Sequence, residues 1–186
     1  MMRFDATEIL EFWPVWLVSI VLVVAAVIDG RILKVPNWLT LPFILSGWLH
    51  GFIYGGVSGF GASLLGTTVG LSLLVFLRAV GGMGGGDVKL LAGVGAWLGV
   101  SATWWAFVWT TIIGGVIALG MIVHSGRYAH HWQIGRQILR EWLSIRQPEK
   151  LAAIARQRKP SMQLLPYGIP MAIGSILYFA FAGMLI

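Results

Sequence analysis

Of the seven carboxylic side chains in this chain, two stand where a charge is expensive. Asp5, Glu8 and Glu11 precede the first long apolar run, and Glu141 and Glu149 fall in a basic stretch. That leaves Asp29 and Asp87, each at the end of an apolar run. An ionised group at that depth costs a few kcal/mol unless it is paired, neutral or facing water. Two carboxyls at one site resist ionising together and hold a single proton between them. The ionised member takes a proton from water and the protonated member polarises a carbonyl. The roles then reverse as the amine departs. Such a pair hydrolyses a peptide bond without a cysteine, a serine triad or a metal. Its titration belongs to the pair, so the ionised partner is not assigned to either residue.

Each aspartate alone has a plainer use. Asp29 is followed by Arg31 as a charge partner, and Asp87 suits a helix N-cap. Neither use accounts for the residues ahead of Asp87, where Gly81, Gly82, Gly84, Gly85 and Gly86 surround Met83. Glycine admits positive φ and lets another backbone approach. Beside a carboxylate this predicts a cleft for an extended peptide. A phosphate loop would need G-x-x-x-x-G-K-[ST], which is missing, and an acid here repels phosphate. A dinucleotide loop would need a preceding strand.

The elements that must position these residues follow from composition. The chain of 186 residues is 58% hydrophobic and 11% charged, against about 25% charged in soluble proteins. Apolar stretches at about 12–28, 38–54, 57–80, 88–100, 102–123 and 164–186 predict an all-α polytopic membrane protein of about six transmembrane helices. Backbone groups in lipid must bond internally, and the runs lack the alternation of barrel strands. The fourth and fifth runs are separated only by a weak break at Ser101. Residues 1–186 read as one membrane-embedded domain with a basic loop at about 124–160. Helices two and three form a hairpin that brings Asp29 and Asp87 to one membrane face. The acid-rich N-terminus does not read as a signal peptide.

The net charge is +6, and eight of the 13 Lys and Arg residues lie in 124–160. Arg31, Lys34, Arg78 and Lys89 fall on the same side of a six-helix topology, so the positive-inside rule makes the aspartate face cytoplasmic and the N-terminus external. The basic charge is therefore read as facing the lipid bilayer, with no nucleic-acid partner. With no cysteine in the chain, disulfides and thiolate sites are excluded. His124, His130 and His131 lack a third ligand at metal spacing, so no metal or other cofactor is expected. Ile134, Ile138, Leu139, Trp142 and Leu143 predict a basic amphipathic helix on the anionic leaflet. Trp13, Trp16, Trp38, Trp48, Trp97, Trp104 and Trp105 are expected in the interfacial belt. Gly61, Gly66, Gly70, Gly93, Gly95, Gly114 and Gly115 are expected to let helices pack closely.

Three stretches together resemble the type IV prepilin peptidase (prepilin leader peptidase) family, most of all its short members serving Flp or tight-adherence pili. They are Asp29-Gly-Arg-Ile-Leu-Lys-Val-Pro36-Asn37, the G-x-G-D stretch Gly84-Gly-Gly86-Asp87-Val-Lys89, and Leu165-Pro-Tyr167-Gly168-Ile-Pro170. The resemblance implies Asp29 and Asp87 as catalytic residues. Gly84 and Gly86 would shape the loop, with Lys89, Pro36, Asn37 and Tyr167 near the site. It further implies a multi-pass protein of the bacterial inner membrane that cuts prepilin or pseudopilin substrates on the cytoplasmic side, between a basic leader and an apolar helix. Larger members carry a four-cysteine cytoplasmic region and N-methylate the new terminus; the lack of cysteine argues against methyl transfer here. Lys89 is expected to tune Asp87 by adjacency. Other readings of the same residues are a small proton-coupled transporter relaying protons through Asp29 and Asp87, a non-enzymatic assembly factor, and a G-x-G-D protease cutting within membrane helices.

Overall fold

A computed structural model describes residues 6–79, 83–126, 133, 135–137, 140 and 166–185. The amphipathic helix expected over 127–159, and the topology of that loop, lie almost wholly outside them. Among the described residues the chain is helical and has no strand. Four helices can be bounded among these residues: α1 (Ala6–Ile32), α2 (Asn37–Ala79), α3 (Gly85–Ser125) and α4 (Gly168–Phe181).

The α1 helix runs past Asp29 and stops one turn later. The Leu33 amide donates to the Asp29 carbonyl at 2.8 Å, and Leu33 takes a left-handed φ of 52°. Pro36 follows, and its carbonyl accepts the Leu39 and Thr40 amides at 3.2 and 3.3 Å, starting α2. Pro36 thus stands at the junction between α1 and α2.

At 43 residues α2 would extend about 65 Å if straight, twice the hydrocarbon core of about 30 Å. It breaks at Gly56, with φ 58° and ψ −145°, a backbone that only glycine adopts readily. The two arms then fold together. The Gly51 carbonyl packs on Gly59, Ser63 Oγ donates to the Gly47 carbonyl at 3.4 Å, and Trp48 Nε1 donates to Thr67 Oγ1 at 2.9 Å. This is the hairpin expected between the aspartates.

The same device divides α3. Its break falls at Gly99, with φ 76° and ψ −173°, two residues before the Ser101 expected from the sequence. A serine has no comparable freedom at positive φ. The arm before Gly99 seats Gly95 on Gly66 and packs its backbone at Leu91 and Ala92 on Gly70. The arm after it packs on α4, where the Thr110 backbone lies 2.6 Å from the methyl position of Gly174.

Glycine contacts set these helix approaches, with two corrections. Gly61 and Gly115 were expected in helix contacts, but the methyl position of each faces open space. The tryptophans also divide. Trp16, Trp38, Trp104 and Trp105 are exposed as a belt requires. Trp48 and Trp97 are half-buried and spend their N–H groups inside the bundle, Trp97 on the Phe43 carbonyl at 2.9 Å. An indole N–H turned away from water needs such a partner.

The core gathers Val18, Leu22, Leu74, Leu90, Leu91, Met171 and Phe179, all fully buried. The outside is equally apolar, with Ile20, Leu45, Leu65 and Val116 each more than half exposed. A surface this apolar is stable in lipid and a liability in water. Three helices, Phe12–Ile32, Asn37–Val75 and Gly85–Ser125, are long and apolar enough to cross a membrane, while α4 is shorter.

Candidate active site

The last turn of α1 turns Asp29 inward, where it is 3% exposed. Its Oδ2 accepts the Gly168 amide at 2.8 Å. The first amides of a helix lack partners within it, so the start of α4 supplies a donor to a buried carboxyl. Helix N-termini also favour negative charge.

Asp87 is equally enclosed at 5% exposure. It is not the N-cap of α3, which is Gly84; it sits three residues on. Its Oδ2 reaches back to accept the Gly84 amide at 3.0 Å. This is the carboxyl half of a capping box; glycine has no side chain to supply the other half.

Space, not unusual backbone, explains the motif glycines among the described residues. Gly84 is extended at φ −78° and ψ 158°, and none of Gly84, Gly85 and Gly86 has positive φ. The methyl position of Gly86 would meet the Val35 carbonyl oxygen, with Val35 Cβ at 2.8 Å. That of Gly84 lies 3.1 Å from Asp87 Oδ2, and that of Gly85 lies 3.0 Å from the Arg78 guanidinium. The loop after α1 and the loop before α3 are thus pressed together at the second glycine of G-x-G-D. Gly81 and Gly82 lie outside the described residues.

Two further expected residues tie this end together. Lys89 Nζ donates to Asn37 Oδ1 at 2.9 Å, joining the starts of α2 and α3. Lys89 thus reaches Asn37, another of the residues singled out in the sequence. Tyr167, the N-cap of α4, places its phenol within electrostatic reach of Asp87 and beside the Thr111 hydroxyl. The next residue is Gly168, bonded to Asp29. Consecutive residues at the start of α4 therefore address the surroundings of both aspartates, so both carboxyls lie at one end of the bundle. Thr111 and Asp87 stand on opposite arms of α3, which confirms that α3 turns back at Gly99.

All eight residues singled out in the sequence converge on this end. The sequence did not reveal the Gly168 amide, the Val35 backbone or Thr111. The Pro-Tyr-Gly stretch was a signal for the first. The other two act through backbone and a common hydroxyl, which leave no pattern in composition. Among the described residues no group of three or more His, Asp or Glu side chains could hold a metal ion.

Two enclosed aspartates at the end of an all-helical, lipid-facing bundle define a polytopic membrane protein with an acidic site at its helix ends. The chain belongs to the type IV leader peptidase family, whose model matches residues 16–119. It is 38% identical over 108 residues to a "Prepilin leader peptidase/N-methyltransferase" of Neisseria gonorrhoeae, covering 54% of this chain and 37% of that protein. The protein of the same name from Bacillus subtilis (strain 168) is 32% identical over 125 residues, covering 64% of this chain and 48% of that protein. The one from Aeromonas hydrophila is 33% identical over 114 residues, covering 58% and 39%. The chain thus spans less than half the length of these relatives. No solved structure gives a significant match.

Proposed function

We propose that this chain is an aspartic endopeptidase of the bacterial inner membrane that removes the leader of prepilin-like proteins at the cytoplasmic face. The observation that carries this reading is the joint burial of Asp29 and Asp87 at one end of the bundle, connected through Tyr167 and Gly168. Asp29 and Asp87 act as the pair. One carboxylate takes a proton from water, and the resulting hydroxide attacks the scissile carbonyl. The other, protonated carboxyl donates to the carbonyl oxygen. Collapse of the tetrahedral intermediate breaks the C–N bond, and the proton taken from water passes to the departing amine.

The test is co-expression with a prepilin from the same genome, with leader removal followed by gel shift and N-terminal sequencing. Asp29→Asn and Asp87→Asn each abolish processing while the protein still inserts. Processing retained in both single variants would falsify the assignment. It would return the two acids to a role such as proton relay.

A further inference from the structure

An apolar groove of about 590 Å³ runs along the outside of the bundle between α1 and α4. Val23 and Val27 form ridges on one side and Ile173 on the other, over a low floor of Ala26, Gly30 and Ala172. Val27 and Ile173 are 51% and 43% exposed, so the groove opens laterally to lipid. From Val23 to Gly30 it covers two helical turns, about 10 Å. Its end nearest the aspartates is made by Gly30 and Ile169, with Ile169 Cδ1 3.6 Å from the methyl position of Gly30. Those two residues directly follow Asp29 and Gly168, the partners in the buried hydrogen bond.

We infer that this groove seats the apolar helix of the substrate on the C-terminal side of the scissile bond. The inference rests on the reading of Asp29 and Asp87 as the peptidase pair. A peptide cut at Asp29 and continuing into the bilayer as a helix passes over Gly30 and enters the groove without a turn. Ala26 and Gly30 are four residues apart, the small-residue spacing that admits a third helix to close backbone contact in lipid. An acyl chain would need no such floor. Nothing charged or hydrogen-bonding lines the groove, so it accepts a continuous apolar helix and penalises a charged one. With its N-terminal end at Asp29, the bound helix runs parallel to α4. One turn along α4 from Ile169 is Ile173, and two turns along is Leu177.

That register makes the test specific. Benzoylphenylalanine is placed at Ile173 or Leu177 in an Asp87→Asn background, in membranes containing a co-expressed prepilin. Irradiation should cross-link Ile173 to the first turn of the substrate helix after the cleavage point and Leu177 to the second. A probe at Leu65, 63% exposed on the second arm of α2, should give no substrate adduct. Adducts only to lipid, only to a second copy of this chain, or equally from Leu65 overturn the inference.

A kinetic arm separates the groove from the aspartate reading. With native Asp29 and Asp87, Val27→Trp and Ile173→Trp should raise KM for full-length prepilin at least tenfold. Cleavage of a soluble leader peptide ending before the helix should be unchanged. Unaltered cleavage of full-length prepilin, or equal loss on both substrates, overturns the groove. If the native protein leaves both substrates uncut, the peptidase reading itself falls.

Discussion

The Gly168 amide donates to Asp29 Oδ2 at 2.8 Å across 139 residues of sequence. This bond brings the start of the last helix onto the end of the first. Asp29 is thereby held by a backbone group that cannot rotate away, as Asp87 is by the Gly84 amide. A carboxyl fixed by backbone keeps its orientation while it exchanges protons, which catalysis requires of a positioned acid or base.

Gly168→Ala tests that positioning. A methyl there lies 3.0 Å from Asp29 Cβ and 3.2 Å from Oδ2, so the carboxyl must shift. We expect kcat for leader removal to fall at least tenfold, a barrier increase of about 1.4 kcal/mol. KM should change little, because the methyl faces the carboxyl and not the groove. Steady-state kinetics on purified protein read the split. A normal kcat would show that Asp29 tolerates displacement.

The motif glycines separate by what surrounds them. Gly86→Ala drives a methyl into the Val35 backbone, which cannot move without reshaping the connection from α1 to α2. We expect a loss of about 1–3 kcal/mol, as for overpacking in a core. Gly85→Ala meets only the end of the Arg78 side chain, which can swing aside, and should be nearly neutral. Thermal denaturation in detergent compares the two variants, and equal losses would contradict the assigned contacts.

The polar part of the site was legible because polar residues are conspicuous in so apolar a chain. Asp29 and Asp87 stood out by type, Lys89, Asn37 and Tyr167 were marked only by the family resemblance, and the structure gathers all five. The hairpin was legible because two apolar runs, at about 38–54 and 57–80, are each long enough to cross a bilayer and are joined by a short connection. What the sequence hid was the choice among glycines. Gly61 and Gly66 look alike on paper, yet one faces open space and the other meets the Gly95 backbone. Such pairings depend on helix rotation, which a uniformly apolar segment does not specify, since neither face is marked by polarity. The break in α3 falls at Gly99 and not at Ser101 because its position is decided by the backbone freedom of glycine, not by hydropathy.

Leu33 offers a gain in stability. It closes α1 at φ 52°, a place where helices favour glycine. Its side chain is 53% exposed, so little packing is lost on removal. Relieving the left-handed strain, about 1 kcal/mol, should make Leu33→Gly more heat-resistant than the native protein. Leu33→Ala keeps the strain and should not gain. If the two variants melt together, φ at this position is not the source of the effect.

The breaks at Gly56 and Gly99 invite the opposite substitution. Nothing lies within 4 Å of either methyl position, so any cost of Gly56→Ala or Gly99→Ala comes from the backbone alone. At φ 58° and ψ −145° for Gly56, and φ 76° and ψ −173° for Gly99, a region essentially restricted to glycine, that cost is about 1–3 kcal/mol each. Gly61→Ala is the control within α2. It too faces open space but has helical backbone, so alanine should stabilise it by up to about 1 kcal/mol. Opposite signs for Gly56→Ala and Gly61→Ala in thermal denaturation would establish that α2 turns back at Gly56 and continues as helix through Gly61. Matching signs would mean that α2 is straight at Gly56. That would also remove the hairpin that returns the chain to the aspartate end.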